Sequence, residues 1–205
     1  MALRLNGSSS GYVELDVPAA AGSHTLTLPD GGGSNGQYLQ TDGSGGLSWQ
    51  TVTVPDAVAC ALIADVKTSG THGGTFTQGD WRTRDLNNFY DPGNIGLTVA
   101  SNQFTLPAGT YLINWTCPAF TVNSHQTRLF NVTSSSAGRV GSNEFSWSGT
   151  NIQTNSIGWD IVFPTVNTTY RIEHRCDTTV TTNGFGRVMN FGEEKYTQVV
   201  IWSLA

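Results

Sequence analysis

The sequence predicts an all-β protein: a C-terminal jelly-roll antiparallel β-sandwich over residues 57–205, preceded by a short β-rich stalk segment over residues 1–56. Runs typical of strands follow one another through the larger part, separated by turn residues, and none has the 3.6-residue period of an amphipathic helix. About eight such runs in roughly 150 residues are typical of a two-sheet sandwich. Hydrophobic residues make up 38% of the 205 residues and include six Trp and nine Phe, which is enough for a core.

The N-terminal segment contains strands that alternate between apolar and polar residues. Residues 12–17 alternate, and residues 25–30 and 51–56 each form a short alternating run closed by Pro-Asp. Glycine-rich turns at 30–36 and 42–46 allow the chain to reverse. A flexible linker would not keep its apolar residues on one face. Because three short strands cannot bury such a face alone, we expect copies of the segment to pack together, with a loosely tethered tail as the alternative.

The C-terminal domain is predicted strand by strand from its apolar pattern. Residues 57–66 are almost continuously apolar, as in a central strand covered on both faces. Residues 109–117, 157–163 and 169–176 alternate with a period of two, and residues 196–204 tie the end of the chain into a sheet. The residues predicted to share a face within each alternating strand are Tyr111, Ile113, Trp115 and Cys117; Ile157, Trp159, Ile161 and Phe163; and Tyr170, Ile172, His174 and Cys176, the last set opposite Arg171, Glu173 and Arg175.

Charge and cysteine usage exclude several classes of partner. Charged residues make up 12% of the chain and the formal net charge is -5, so no basic field attracts nucleic acid or an anionic membrane. No apolar run is long enough for membrane insertion, and residues 1–7 lack the apolar run of a secretory signal. Cys60, Cys117 and Cys176 are odd in number and widely spaced, which favours buried free thiols over disulfides. A zinc site that uses Cys176 and His174 is the alternative.

Motifs for catalysis, cofactors and metals are weak, and we predict none of the three. Residues 7–11 match Gly-x-Ser-x-Gly around Ser9, but a nucleophile elbow needs a helix after the serine. Glu193 and Glu194 are adjacent, so a strand would point their side chains to opposite faces. The acidic stretch 80–91 offers oxygen ligands, yet its spacing matches no dedicated calcium loop. The chain is therefore predicted not to be an enzyme.

Two segments are candidate contact loops. His72 is followed by two glycines, and the long segment 133–154 is rich in Ser, Thr, Asn and Gly around Phe145 and Trp147. Exposed aromatic side chains among small polar residues suit the recognition of carbohydrate or protein. We predict His72, Phe145 and Trp147 as ligand contacts, with buried loop anchors as the alternative.

An ordered set of short segments resembles a known group of heads. The ordered segments are 81–87, 91–95, 102–111, 125–131, 173–176, 183–186 and 196–202. In this order along residues 57–205, they resemble the jelly-roll heads of phage and bacterial relatives of the tumour necrosis factor and complement globular-head superfamily. Residues 11–15 and 34–43 resemble segments common in tail-fibre and other virion proteins of phages.

The resemblance implies a homotrimer with three jelly rolls packed around a three-fold axis. Aromatic residues of the inner-sheet strands line that axis in such heads, and a plain role in the core of one chain is the alternative for each candidate here. The trimer-interface residues that the resemblance implies are Tyr111, Tyr170, Phe185, Phe191 and Tyr196.

The resulting functional hypothesis is a structural virion protein of a bacteriophage, made in the cytoplasm of the host bacterium. Its head would be a trimeric fibre tip or knob that binds a glycan or protein of the host surface, and residues 1–56 would attach it to other virion proteins. The alternative is a capsid decoration or head-fibre protein that docks on the shell through residues 1–56 and has no receptor role. An enzyme that degrades host polysaccharide is disfavoured because no carboxylate groove is evident.

Overall fold

The computed structural model describes residues 3–15, 18–20, 22–52 and 59–204. The chain divides into two compact units, Met1–Val54 and Pro55–Ala205. The boundary predicted between residues 56 and 57 lies outside the described residues. No helix occurs in the described part of the chain, and the described strands form antiparallel sheets in both units, which confirms the all-β prediction.

The first unit is built from two small hairpins. Strand β1 (Leu3–Asn6) pairs with β2 (Tyr12–Leu15), and β3 (Gln37–Thr41) pairs with β4 (Leu47–Thr51). The repeated Pro-Asp runs do not form this pairing: residues 25–30 contribute one parallel bridge, from Thr27 to Gly46. Of the second run, residues 51–56, the structure describes residues 51 and 52, and β4 ends at Thr51. The hairpin instead closes at the predicted 42–46 turn.

The turn between β3 and β4 depends on one aspartate. Asp42 Oδ1 accepts the backbone N–H groups of Ser44 at 2.7 Å and Gly46 at 2.9 Å. Gly43 and Gly45 between them have φ values of 80° and 101°, a region that glycine enters without steric cost. The sequence around the turn therefore fixes the register of this hairpin.

The second unit, called the head below, is a sandwich of two sheets. Sheet I has the strand order β14-β10-β16-β5-β7, and sheet II has the order β12-β11-β15-β9-β8, with β13 beside β11 and β6 beside β15. The strands are β5 (Cys60–Lys67), β6 (Arg82–Thr83), β7 (Asn88–Tyr90), β8 (Thr98–Ala100), β9 (Gln103–Leu106), β10 (Tyr111–Phe120), β11 (Asn123–Asn131), β12 (Ser136–Val140), β13 (Glu144–Ser146), β14 (Gln153–Val162), β15 (Thr168–Cys176) and β16 (Glu194–Ser203).

The chain crosses between the two sheets repeatedly, which defines the topology. From β9 onward it passes to sheet I at β10, to sheet II at β11, to sheet I at β14, to sheet II at β15 and back to sheet I at β16. This interleaving of antiparallel strands is a jelly roll. The predicted fold class is confirmed.

The core lies between the sheets and follows the predicted alternation in β10 and β15. Ile113, Trp115 and Ile172 are at most 1% exposed. The Trp115 indole N–H donates to Thr127 Oγ1 at 2.7 Å, and its ring packs on Gly158 of β14. A Cβ atom at Gly158 would lie 2.1 Å from the ring, so only glycine fits there.

Two predictions about faces need correction or completion. Strand β5 is central in sheet I, but only one of its faces is covered within the chain, because Leu62 is 44% exposed. Ile157, Trp159 and Ile161 do share one face of β14, and that face points away from the core. Both observations concern the same surface, the outer face of sheet I.

Candidate functional site

The outer face of sheet I is apolar. Cross-strand registry places Leu112 between Ile161 and Trp202, and Val200 beside Leu62. Among the described outward residues of this sheet, Lys195 carries a charge, and it lies at one end of β16 opposite Val66. This surface, called the apolar face below, consists of Cys60, Leu62, Ala64, Tyr90, Leu112, Ile157, Trp159, Ile161, Val200 and Trp202, with Asn88, Asn114, Thr116 and Gln198 as its polar members.

Several side chains of the apolar face are open to solvent. Ile157 is 59% exposed, Trp159 is 54% exposed and Tyr90 is 63% exposed. A single exposed apolar residue needs no explanation, but a continuous apolar sheet surface marks an interaction site. The apolar face is therefore the strongest candidate for protein contact on the head.

The outer face of sheet II is charged and closed by its own contacts. Glu173 is only 2% exposed. Its Oε2 lies 2.6 Å from the guanidinium of Arg128, and its Oε1 accepts a hydrogen bond from Arg171 Nε at 2.7 Å. The Arg128 guanidinium lies 4.2 Å from the centre of the Trp81 ring, and that of Arg171 lies 4.6 Å from the centre of the Phe130 ring. Each charge on this network has its partner within the chain.

Four of the five predicted trimer-interface residues are buried within one chain. Tyr111 and Tyr170 belong to the main core, the Tyr196 hydroxyl donates to the carbonyl of Thr71 at 2.7 Å, and Phe185 packs against a second small core. The structure thus gives them the intramolecular role that the sequence left as the alternative. Phe191 is 96% exposed in the loop before β16. A contribution of these five residues to a trimer stays a prediction.

A buried arginine, which the sequence did not reveal, joins three segments at one end of the head. Arg84 is fully buried and donates to Thr197 Oγ1 at 2.8 Å, to the carbonyl of Phe185 at 2.9 Å and to that of Pro118 at 3.2 Å. Its guanidinium also lies 4.1 Å from the centre of the Phe185 ring. Burial lowers the pKa of Arg84. The pattern around residues 82–84 gave no signal for this burial, since its partners lie 34 to 113 residues away.

Two buried histidines face each other beside this arginine. Nδ1 of His125 lies 3.0 Å from Nε2 of His174, and Nε2 of His125 lies 2.7 Å from Thr154 Oγ1. Burial lowers the pKa of His125 to about 4 and that of His174 well below its usual range, and the charge of Arg84 adds to both effects. Both imidazoles are therefore neutral at pH 7. Such a pair stabilises the fold only while it stays uncharged.

The candidate metal sites do not assemble. Lys67 Nζ lies 3.0 Å from Asp65 and 3.0 Å from Asp85, so an ammonium group occupies the cation position in the acidic stretch. Burial raises the pKa of Asp65 despite this partner. Throughout the described residues, no three His, Cys, Asp or Glu side chains lie close enough to hold a metal ion. Cys60, Cys117 and Cys176 are free thiols.

The weak catalytic motifs also stay apart. Ser9 lies in the exposed bend that joins β1 and β2, with a strand after it. Glu193 is exposed, whereas Glu194 is buried and accepts the backbone N–H groups of Met189 at 3.1 Å and Asn190 at 2.8 Å. These hydrogen bonds hold the pKa of Glu194 below its usual range. The described part of the chain contains no helix long and apolar enough to cross a membrane.

The predicted contact loops lie at one end of the head, the apex, where β10 ends at Phe120 and β14 begins at Gln153. The half-buried His72 accepts the N–H of Val188 with its Nδ1 at 3.2 Å. Phe145 on β13 is 57% exposed, and Trp147 in the following turn is 55% exposed. A role of these residues in ligand contact stays a prediction.

Comparison with known proteins gives structural similarities only. No protein-family model and no curated protein matches the chain. The globular domain of zebrafish complement 1qA matches with a TM-score of 0.45 and 11% identity over 73% of this chain and 98% of that domain. Murine APRIL gives 0.48 and 7% over 72% and 100%, and Eiger TNF from S. frugiperda gives 0.47 and 10% over 73% and 94%. The jelly-roll assignment rests on the strand order of sheets I and II.

Proposed function

We propose that this chain is the subunit of a trimeric bacteriophage virion protein, a fibre or knob whose jelly-roll head contacts the host surface. One observation carries the assembly: the outer face of sheet I exposes large apolar side chains across several strands, and its charged residue, Lys195, lies at one end of β16. A solvated sheet face normally alternates polar residues outward, as sheet II does here. A symmetric contact with copies of the chain would cover the apolar face. The number three comes from the resemblance of residues 57–205 to trimeric heads.

The N-terminal unit supports the same proposal. Leu3, Leu5 and Val13 share one face of the β1–β2 hairpin and are 55–66% exposed. The Arg4 guanidinium lies over the ring of Tyr12 on the opposite face. Strands of four residues in a lone hairpin are marginal in water, and three copies could bury their apolar faces against each other. Residues 1–56 would then form a stalk that attaches the head to other virion proteins.

The assembly is tested by the mass of the purified protein in solution. One chain has a mass of 21.9 kDa, and light scattering is expected to give three times this value. A mass of one chain at all concentrations up to the micromolar range would overturn the trimer.

The receptor role is tested separately by adsorption. Purified protein is expected to compete with the phage for host cells. The rival role is capsid decoration, in which residues 1–56 dock on the shell. A trimer that fails to compete, and that a virion reconstruction locates on the capsid shell, would replace the receptor role with decoration.

A further inference from the structure

An open groove lies on sheet II at the apex, outside the charged network of Glu173. Its volume is about 590 Å³, within the range of roughly 300–1,000 Å³ that is typical of small-ligand sites. It lies across strands β13, β11 and β15, with Trp81 at the start of β6 on the far side. The lining of the groove includes Trp81, Ser124, Phe145, Arg175 and Asp177.

Two aromatic side chains form opposite walls of this groove. Phe145 stands on β13, and Trp81 immediately precedes β6. Three inter-strand spacings separate these two strands, which is roughly 14 Å at the usual spacing between strands. The Arg128 guanidinium covers one face of Trp81 and holds the ring against the sheet. The groove thus has two apolar walls, and the strands that carry them are far enough apart to leave room for two linked rings between the walls.

The floor between these walls is polar. Registry places Phe145 beside Ser124 and Arg175 beside Gln126, while the N–H of Asp177 donates to the carbonyl of Ser124 at 3.0 Å. Among the described residues, the side chains of Arg175 and Asp177 take part in no ion pair or hydrogen bond, although the neighbouring Glu173 is fully engaged. A guanidinium and a carboxylate on one floor offer a donor fork and a pair of acceptors.

We propose that this groove binds a short neutral saccharide. The C–H face of one sugar ring would pack on Phe145 and that of a second, linked ring on Trp81, and the hydroxyl groups between them would bond to Arg175, Asp177 and Ser124. Each hydroxyl both donates and accepts hydrogen bonds, which matches a floor that holds both kinds of group. The inference rests on the proposed contact of the head with the host surface and names its ligand class.

Charge and shape argue against the other occupants. The groove lining holds one cation, Arg175, and two carboxylates, those of Glu144 and Asp177. This balance disfavours an acidic polysaccharide by like-charge repulsion. An amphipathic peptide helix needs a continuous apolar stripe along a groove, and here the polar floor interrupts it.

The test uses the full-length protein on an array of neutral oligosaccharides, with sialylated and sulfated oligosaccharides as acidic probes. Phe145→Ala and Arg175→Ala are expected to weaken binding of the neutral probe by at least about tenfold, as expected when a buried contact or a charge-assisted hydrogen bond is lost. Phe163→Ala is the matched control, since Phe163 is an aromatic residue, 69% exposed, that follows β14 at the end of this strand away from the groove. It is expected to leave binding unchanged.

The outcomes separate this inference from the proposed function. A trimer that competes for phage adsorption but binds no saccharide, or binds only acidic ones, overturns the saccharide site alone. So does a neutral saccharide whose binding Phe145→Ala and Arg175→Ala leave intact. Neutral saccharide binding that these variants abolish, in a protein that neither trimerises nor competes, supports the groove and overturns the proposed function.

Discussion

The two outer faces of the sandwich arise from the same alternation of residues and carry opposite chemistry. On sheet II, Glu173 pairs with both Arg128 and Arg171, and the two guanidinium groups lie over aromatic rings, so these charges find their contacts within one chain. On sheet I, Ile157 and Trp159 are more than half exposed. Charges lie at the margins of this face: the Arg139 guanidinium is 5.4 Å from the centre of the Trp159 ring, and Lys195 is at one end of β16. The difference shows that one face holds its charges in internal contacts, whereas the other leaves large apolar side chains uncovered.

A charge placed on the apolar face tests most strongly whether this face is the assembly surface. Ile157→Arg is expected to convert the proposed trimer into single chains, because a guanidinium within an apolar contact would be buried without a partner. Light scattering measures the change in mass. Far-UV circular dichroism is expected to stay unchanged, since Ile157 makes its side-chain contacts outside the core.

Val166→Arg is the matched control for this prediction. Val166 is another β-branched residue, 63% exposed, in the loop between β14 and β15 and away from the apolar face. It is expected to leave the mass of the assembly unchanged. Equal effects of both variants would show that general charge, and not the apolar face, controls assembly.

On the opposite face, Glu173→Ala is expected to be costly for folding rather than for assembly. The change leaves Arg128 and Arg171 close together without the carboxylate that joins them, and breaking a buried ion pair costs on the order of 3 kcal/mol. Urea unfolding at a fixed chain concentration measures the loss in the free energy of unfolding. A loss below about 0.5 kcal/mol, the usual size for surface changes, would show that the face is not held by this network.

Between the two sheets, the buried histidine pair is expected to make the stability of the fold sensitive to acid. Because burial lowers the pKa of His125 to about 4, its contribution to stability is complete above the unfolded value of 6.5 and is lost as the pH falls from 6.5 towards 4. For this one group the loss is on the order of 3 kcal/mol. The measurement is the free energy of unfolding across this range of pH.

Variants at histidine positions assign this pH dependence. His125→Gln is expected to reduce the slope between pH 6.5 and 4, because the unfolded chain then gains no proton at this site, while His174 still contributes. His24→Gln changes an exposed histidine of the N-terminal unit and is expected to leave the slope as it is. The same slope in both variants would contradict the role of the buried pair.

Sequence pattern predicted the inner faces well and the outer ones poorly, for a physical reason. A period of two assigns residues to two faces, so it placed Ile113 with Trp115 correctly and also grouped Ile157 with Trp159. It does not state which face meets the core, because that depends on the neighbouring sheet. The signal for the apolar face was present: β14 carries its large apolar residues opposite Gly158 and Ser156, which are small enough to lie under Trp115 and Thr127.

Contacts between distant residues were beyond this kind of prediction. His125 and His174 lie 49 residues apart, and each alone has the pattern of an ordinary strand residue. Arg84 is a charged residue in a short edge segment, which predicts exposure, and its burial follows from partners on three other segments. Of the five predicted trimer-interface residues, four are buried within one chain and Phe191 is exposed, and their part in a trimer stays a prediction.

The smallest effect is expected within sheet II, where Arg175 and Glu173 share one outer face but differ in their contacts. Arg175 is two residues from Glu173 on the same outer face, yet among the described residues it joins no ion pair. Arg175→Ala is therefore expected to change the free energy of unfolding by less than about 0.5 kcal/mol, whereas Glu173→Ala loses several times as much. Urea unfolding of the two variants side by side measures the contrast. A loss for Arg175→Ala that equals that of Glu173→Ala would place Arg175 in the structural network and remove it from the proposed groove, because a residue that the fold already engages is not available to a ligand.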